Sequence, residues 1–501
     1  MIIQRSTAIY GLVIALITLC LVSSFSPKNA NHKKTTHSLA VALKSQDLGK
    51  FKELISDDFG IGVYEGKSTA SMLASLLDLY PKISKVTYVE SKEEKGEQRV
   101  YIDVQLENGE SKNTWYALDQ YGKILYLEIF DKAYGIDRKS DKGLVASIPF
   151  DFSSGSITIP IKMNDYENPI HMLFDTGADG IGVGSGTAKN IGVNETQDHE
   201  SSVVGGTKKV QLSKGNTLIL GEDIILKNQN LVVFPEYKDT NGGLLGGNIL
   251  RNFTTKVDFD RSVMELYDFN SYTPSPEAIC VPLDYSSGLP AVKLQTQFDS
   301  QKDWIPTNLI MDTGASYNLI LFSDFVARTQ VHQNFKTAAS STNTSFDIVT
   351  PTLMGNLNGL RLDGEEINNF LISLQLPAAG NRRIGNYDGS WGIGLIKRYN
   401  FTIDLLHKKL YLEPNQYSQY PADLALAGMF LGFDATGDLK VNQVIGGSAA
   451  DQEGISIGDI IMHIDGEDPI DFLNKPTPFL GKELTFRIIK PDQVIQIELS
   501  I

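Results

Sequence analysis

At residues 174–179 the chain reads FDTGAD, and at 311–316 it reads MDTGAS, 312 − 175 = 137 positions later. One Asp-Thr-Gly means little, since at average residue usage such a tripeptide turns up by chance at roughly a few per ten thousand positions. Here, however, each copy sits inside a longer echo. IPFDFSSG at 148–155 returns as VPLDYSSG at 281–288, and each is followed by alternating apolar residues. Further on, GGLLGGNILRNFTTKVDFDRSVMELYDF at 242–269 is matched by GSWGIGLIKRYNFTIDLLHKKLYLEP at 389–414. Gly243 aligns with Gly389, Gly246 with Gly392, Phe253 with Tyr399 and Asp258 with Asp404, each 389 − 243 = 146 positions apart, and Tyr267 aligns with Tyr411, 411 − 267 = 144 positions on. A fixed order of matched landmarks means two copies of one structural unit.

The residue types in the repeated turn suit a particular chemistry. Glycine lets backbone approach backbone closely, threonine offers a short hydroxyl that can bond across a pair, and aspartate brings a carboxylate. If an approximate two-fold axis joins the copies, Asp175 meets Asp312. Two carboxylates that close cannot both ionise, so they share a proton and present one base and one acid to a water molecule.

With these motifs in hand, residues 143–414 resemble a tandem retropepsin-type aspartic protease, with lobe 1 at 143–270 and lobe 2 at 276–415. Proton sharing between the two carboxyls is a known feature of aspartic proteases, so it comes with the resemblance. The resemblance implies that Asp175 and Asp312 are catalytic, that Thr176 and Thr313 lock the lobes together, and that Gly177 and Gly314 permit the close approach. It pairs LFDTGAD with GLLGGN and IMDTGAS with SWGIGL as crossing strands. Gly205 and Gly206, in SSVVGGTKKVQL, take the place of a flap, whereas SSTNTSFDIVTP at 340–351 lacks the glycine pair and leaves a second mobile flap in doubt. Ala178 and Ala315 stand where pepsin-like sites carry a hydroxyl. Without that donor the dyad should hold its protons more tightly and work at mild acidity, roughly pH 4.5–6.5. Asp179 is expected in an ion pair whose partner the sequence does not name.

The remaining segments read as separate modules. Residues 1–28 carry one arginine, Arg5, and an apolar stretch from Ala8 to Val22, the pattern of a secretory signal peptide or membrane anchor. Over 36–140, helical periodicity followed by two-residue alternation implies an α+β domain, which resembles the cystatin-like and nuclear-transport-factor-like cones. Residues 421–501 resemble a PDZ domain, with Phe430-Leu431-Gly432-Phe433 as the loop that would hold a peptide C-terminus and VIGGSAADQEGISIGDIIMHIDG as the following strand, helix and strand. On this reading the domain recruits substrate and does not cut.

The expected fold is therefore mainly β: two fused retropepsin-like lobes, an α+β domain before them and a PDZ domain after them. With 501 residues and 42% hydrophobic content, the chain is long enough for several cores. The 45 basic residues are outnumbered by 60 acidic ones, for a formal charge of −15, and no basic run suits a phosphate backbone, so nucleic acid is not expected as a partner. Only Cys20 and Cys280 occur, which leaves no internal disulfide framework, and Cys280 reads as core packing. Seven scattered histidines show no metal spacing, and neither a metal nor another cofactor is expected. The function implied is an exported, cell-envelope or membrane-anchored endopeptidase acting on extended polypeptides. The competing reading is a non-catalytic peptide-binding envelope protein on the same scaffold, and a third is a site assembled between two chains.

Overall fold

The computed structural model describes residues 27–79, 82–94, 96–138, 141–193, 197–203, 206–221, 224–237, 242–299, 303–345, 348–376, 386–434, 436–475 and 482–500. The leader read over 1–28 lies outside them but for its last two residues, and so does Gly205. Among the described residues no helix is long and apolar enough to cross a membrane. The chain divides into two compact units, Met1–Arg138 and Lys139–Ile501.

In the first unit, helices Pro27–Ser45, Leu48–Lys52 and Gly66–Leu79 precede an antiparallel sheet of Ile83–Glu94, Glu97–Leu106, Ser111–Leu118 and Ile124–Leu127. Alternation in the strands turns Val100, Ile102 and Val104 inward, where they meet Leu39, Phe51, Ile61 and Phe130 from the helical side. Buried Asp131 is held by Arg138 at 2.6 Å and by the Gly62 amide at 2.6 Å. That pairing satisfies the charge and leaves it no chemistry to perform.

The second unit is almost entirely β, and its two halves repeat one pairing pattern. In the first half, Tyr166–Phe174 runs parallel to Gly242–Leu245, which pairs antiparallel with Ile181–Gly184. In the second, Ile305–Asp312 runs parallel to Gly389–Gly392, which pairs antiparallel with Leu319–Leu321. Each half also carries a long hairpin. Gln197–Val203 returns through Gly206–Leu220, and Ala339–Ser345 returns through Ile348–Leu362. The second copy thus has a hairpin of the same build despite lacking the glycine pair, because Ser345 and Ile348 close the ladder without needing glycine in the strands.

A shared sheet joins the halves. Thr254–Asp258 from the first pairs antiparallel with Tyr399–Asp404 from the second, flanked by Val263–Tyr267, Leu144–Pro149, Lys409–Pro414 and Ile279–Asp284. Val257, Met264, Leu266, Phe401, Ile403, Leu410 and Leu412 from these strands are all fully buried. Burying an aliphatic or aromatic side chain stabilises by about 1.5–3 kcal/mol, so this sheet is a strong tie between the two copies. Cys280 departs from expectation. The alternation in Ile279–Asp284 turns Val281 and Leu283 inward and leaves the thiol exposed.

Residues from Leu424 onward form a six-stranded antiparallel sheet over a core that includes Leu431, Val441, Ile461, Phe486 and Ile488. Phe430, Leu431, Gly432 and Phe433, expected as a loop, lie in the strand Met429–Phe433. The run is buried throughout, with Leu439–Val444 on one side and the short strand Leu424–Leu426 on the other. An apolar run with neighbours on both edges gains more as a strand than as an exposed loop. Nor is the domain a loose appendage. The Asp423 carbonyl accepts from the Leu371 amide at 2.7 Å and from Asn318 Nδ2 at 3.1 Å, while the Asn356 side chain accepts from the Ala425 amide at 2.8 Å and donates to its carbonyl at 2.9 Å.

Candidate active site

Both Asp-Thr-Gly turns follow apolar strands whose side chains are anchored in a core. Phe174 and Met311, the residues immediately before the two aspartates, are fully buried. Beyond each aspartate the chain leaves the strand, and the opposite copy holds it. The Thr176 amide donates to Thr313 Oγ1 at 3.0 Å, and the Thr313 amide donates to Thr176 Oγ1 at 3.0 Å. Each hydroxyl in turn donates to a carbonyl of the other copy, Thr176 to Met311 and Thr313 to Phe174. Both threonines are buried, so these four bonds form out of competition with water.

This lock brings Asp175 against Asp312, with their carboxyls hydrogen-bonded to one another. Each carboxyl also accepts from the amide two residues on, Gly177 at 2.9 Å and Gly314 at 3.1 Å. The glycines are needed for the approach itself. A Cβ on Gly177 would lie 2.6 Å from Asp312 Oδ1, and one on Gly314 would lie 2.7 Å from Asp175 Oδ1, both well inside contact distance. No side chain fits at either position without separating the pair.

Burial is the first cause of the electrostatics. It pushes the Asp175 carboxyl well above the usual carboxylate range, with the charge of Asp312 adding to the shift and the Gly177 and Ala178 amides opposing it. Asp312 is also raised by burial, but bonds from Asp175, Ser390 and the Gly314 and Ala315 amides pull it back. The pair therefore holds one proton over a range where ordinary carboxyls have lost theirs.

Ser390 and Tyr317 are the residues that reading the repeat overlooked. Ser390 Oγ donates to Asp312 Oδ2 at 3.2 Å, and the Tyr317 phenol stands beside Ser390. The hydroxyl expected to be missing because of Ala178 and Ala315 thus comes to one carboxyl from the crossing strand Gly389–Gly392. A signal was available. Ser390 stands opposite Leu244 (390 − 244 = 146), and Tyr317 lies in a turn one residue longer than its counterpart, Ser316-Tyr317-Asn318 against Asp179-Gly180, two places where the copies differ next to matched landmarks.

Of the other expected residues, Asp179 finds its partner in Arg251, with Nη1 to Oδ1 at 2.5 Å and Nη2 to the Asp179 carbonyl at 2.8 Å. Gly206 begins the return strand of the first hairpin, paired with Val203. Phe430 to Phe433 belong to the separate C-terminal sheet and take no part in the dyad.

Residues 159–249 match the family model described as aspartyl protease. The match covers the first turn and its crossing strand, and it supports an aspartyl protease-like fold there. Among solved structures, the chain is similar to the aspartic proteinase from Irpex lacteus, at 12% identity and a TM-score of 0.36, over 54% of this chain and 97% of that one. No curated protein matches the chain.

Proposed function

We propose that the chain is an aspartic endopeptidase whose two carboxyls, Asp175 and Asp312, both come from one polypeptide. The observation that carries this reading is the hydrogen-bonded pair of carboxyls, held by the reciprocal threonine bonds and sharing a proton because of its burial. Such a pair can take a proton from water and give one to a carbonyl oxygen in the same step. An extended polypeptide would lie across the dyad between the two long hairpins, where strand-like backbone is bound by strand-like backbone. No metal or cofactor is needed for this step, since the acid and the base are both protein groups.

The proposal extends to the flanking segments. The uncharged stretch from Ser6 to Pro27 would export the chain or anchor it at a membrane, placing the site in the cell envelope. The C-terminal domain would bind a peptide end in the PDZ manner. Its Met429–Phe433 edge is paired with Leu424–Leu426, so a peptide adding there must displace that strand.

The test uses the full chain against an unfolded polypeptide, with fragments read by mass spectrometry. Asp175→Asn and Asp312→Asn should each lower the rate by about a thousandfold or more, because an amide can neither take the water's proton nor share one. The double variant should be no worse than either single one, since residues that act as a unit are disabled by the first substitution. Substantial activity in either single variant, or no cleavage by the unaltered chain under any mildly acidic condition, would favour the peptide-binding reading.

A further inference from the structure

The two copies supply matched carboxyls but unmatched surroundings. Behind Asp312 stand Ser390, buried in the crossing strand, and Tyr317, on the turn that follows Ala315. Opposite Ser390 the first copy has Leu244, and its turn is one residue shorter, with Asp179-Gly180 where the second has Ser316-Tyr317-Asn318, so no side-chain donor stands behind Asp175 in either place. The groups that face the pair are thus the two carboxyls themselves, the Ser390 hydroxyl, the Tyr317 phenol and the amides of Gly177, Ala178, Gly314 and Ala315. The nearest charged side chain along the first turn, Asp179, is engaged by Arg251.

Resting on the reading of Asp175 and Asp312 as one dyad, we propose that Tyr317 and Ser390 are positioning residues that hold the dyad's negative charge on Asp312 and its proton on Asp175. The direction follows from the hydrogens available. Burial and the adjacent carboxyls keep the Tyr317 phenol protonated, so it is a donor. A serine hydroxyl has one hydrogen and can accept while donating. With Tyr317 donating to Ser390 Oγ, the serine hydrogen is free to point at Asp312 Oδ2, and each bond polarises the next toward the carboxylate. A chain of donors that ends on one carboxyl favours its ionised form, and the neighbour keeps the proton.

The assignment gives each carboxyl one role. As the water oxygen bonds to the peptide carbonyl carbon, Asp312 takes the water's proton and Asp175 gives its own to the carbonyl oxygen, which yields a neutral diol. Asp312 then passes its proton to the amide nitrogen while the C–N bond breaks, and one diol hydroxyl returns a proton to Asp175. One water is consumed, a carboxylic acid and an amine leave, and the dyad regains its starting state.

The experiment compares the unaltered chain with Ser390→Ala, Ser390→Thr and Tyr317→Phe in two ways. The first is the pH profile of kcat/KM on a cleaved peptide. The second is direct titration of the full chain carrying 13C-labelled aspartate carboxyls, with the Asp175 and Asp312 signals assigned by their loss in the Asn variants. Removing a charge-assisted donor in Ser390→Ala should move the acid limb, and the first titration step, upward by about one pH unit. The alkaline limb should stay in place, because Asp312 is charged on both sides of the second ionisation. Tyr317→Phe should give a smaller shift of the same sign, and Ser390→Thr, which keeps the hydroxyl, should restore the original limb. A merely structural serine would alter rate or stability and leave the limb where it was. If neither the limb nor the titration moves in folded Ser390→Ala, or if Asp175 proves to ionise first in the unaltered chain, the assignment is wrong. If the titration moves while no variant of the chain cleaves any peptide, the endopeptidase reading fails and the proton assignment stands.

Discussion

The two halves of the repeat carry the same acidic turn in the same strand pairing, and they differ in what stands behind it. Around the turn everything is reciprocal, since each threonine bonds the other copy and each glycine clears the other carboxyl. One step further out, reciprocity ends, with a serine and a tyrosine behind Asp312 and a leucine and a shorter turn behind Asp175. Reciprocity is what builds a pair of carboxyls; its loss is what lets them differ. A perfectly two-fold site would leave the proton equally on either side, whereas a fused chain is free to vary one copy without the other.

The reciprocal layer should break symmetrically, and with the largest effects. Gly177→Ala and Gly314→Ala each drive a methyl group into the opposite carboxyl and should cut kcat by about a hundredfold or more, the scale expected from misplacing reacting groups by an ångström. Steady-state kinetics on one peptide would check this, and a large difference between the two would mean that the close approach matters on one side only. Next in size are the threonines. Thr176→Val and Thr313→Val keep the shape but leave a buried amide and a buried carbonyl of the other copy unpaired, so each should cost about 2–4 kcal/mol in urea unfolding. A loss below about 0.5 kcal/mol in either would show that the lock adds little beyond the shared sheet.

The smallest expected effect concerns charge, and here the halves should part. Both carboxyls bind protons more tightly in the folded chain than in the unfolded one. Their contribution to stability is therefore complete below the ordinary carboxylate range and is lost as pH rises through the folded values. Asp175→Asn escapes that loss, so its denaturation midpoint should exceed that of the unaltered chain at pH 7, and the gain should vanish by about pH 3.5, below the unfolded pKa. Asp312→Asn should gain less, because donors already stabilise its charge. Equal gains, or a larger gain for Asp312→Asn, would contradict the asymmetry.

How far the sequence could be read follows the same division. Asp175, Asp312 and their flanking residues were legible because each landmark had a twin in the same order, and a repeat advertises whatever it keeps. Ser390 and Tyr317 were not, because they lie where the repeat departs from itself, and a departure has no twin to mark it. Cys280 was misread because an apolar neighbourhood in sequence does not say which way a strand faces, and one step along a strand reverses the side. The short motif at Phe430 to Phe433 suggests a loop, whereas the burial of these residues depends on Leu424–Leu426 folding back beside them. The hydrogen bonds of that segment to Asn318, Asn356 and Leu371 carry a practical consequence. Cutting the chain at residue 421 would strip partners from the second half as well as remove the C-terminal sheet.

The claim that one chain supplies both carboxyls is tested most directly by mixing. Purified Asp175→Asn and Asp312→Asn chains would be unfolded together, refolded together and assayed for peptide cleavage beside each variant alone. If the shared sheet joins the two copies within one polypeptide, every site keeps its asparagine and the mixture should stay as inactive as its components. Recovery of cleavage in the mixture would show that an intact pair had formed between chains, and the single-chain dyad would have to be abandoned.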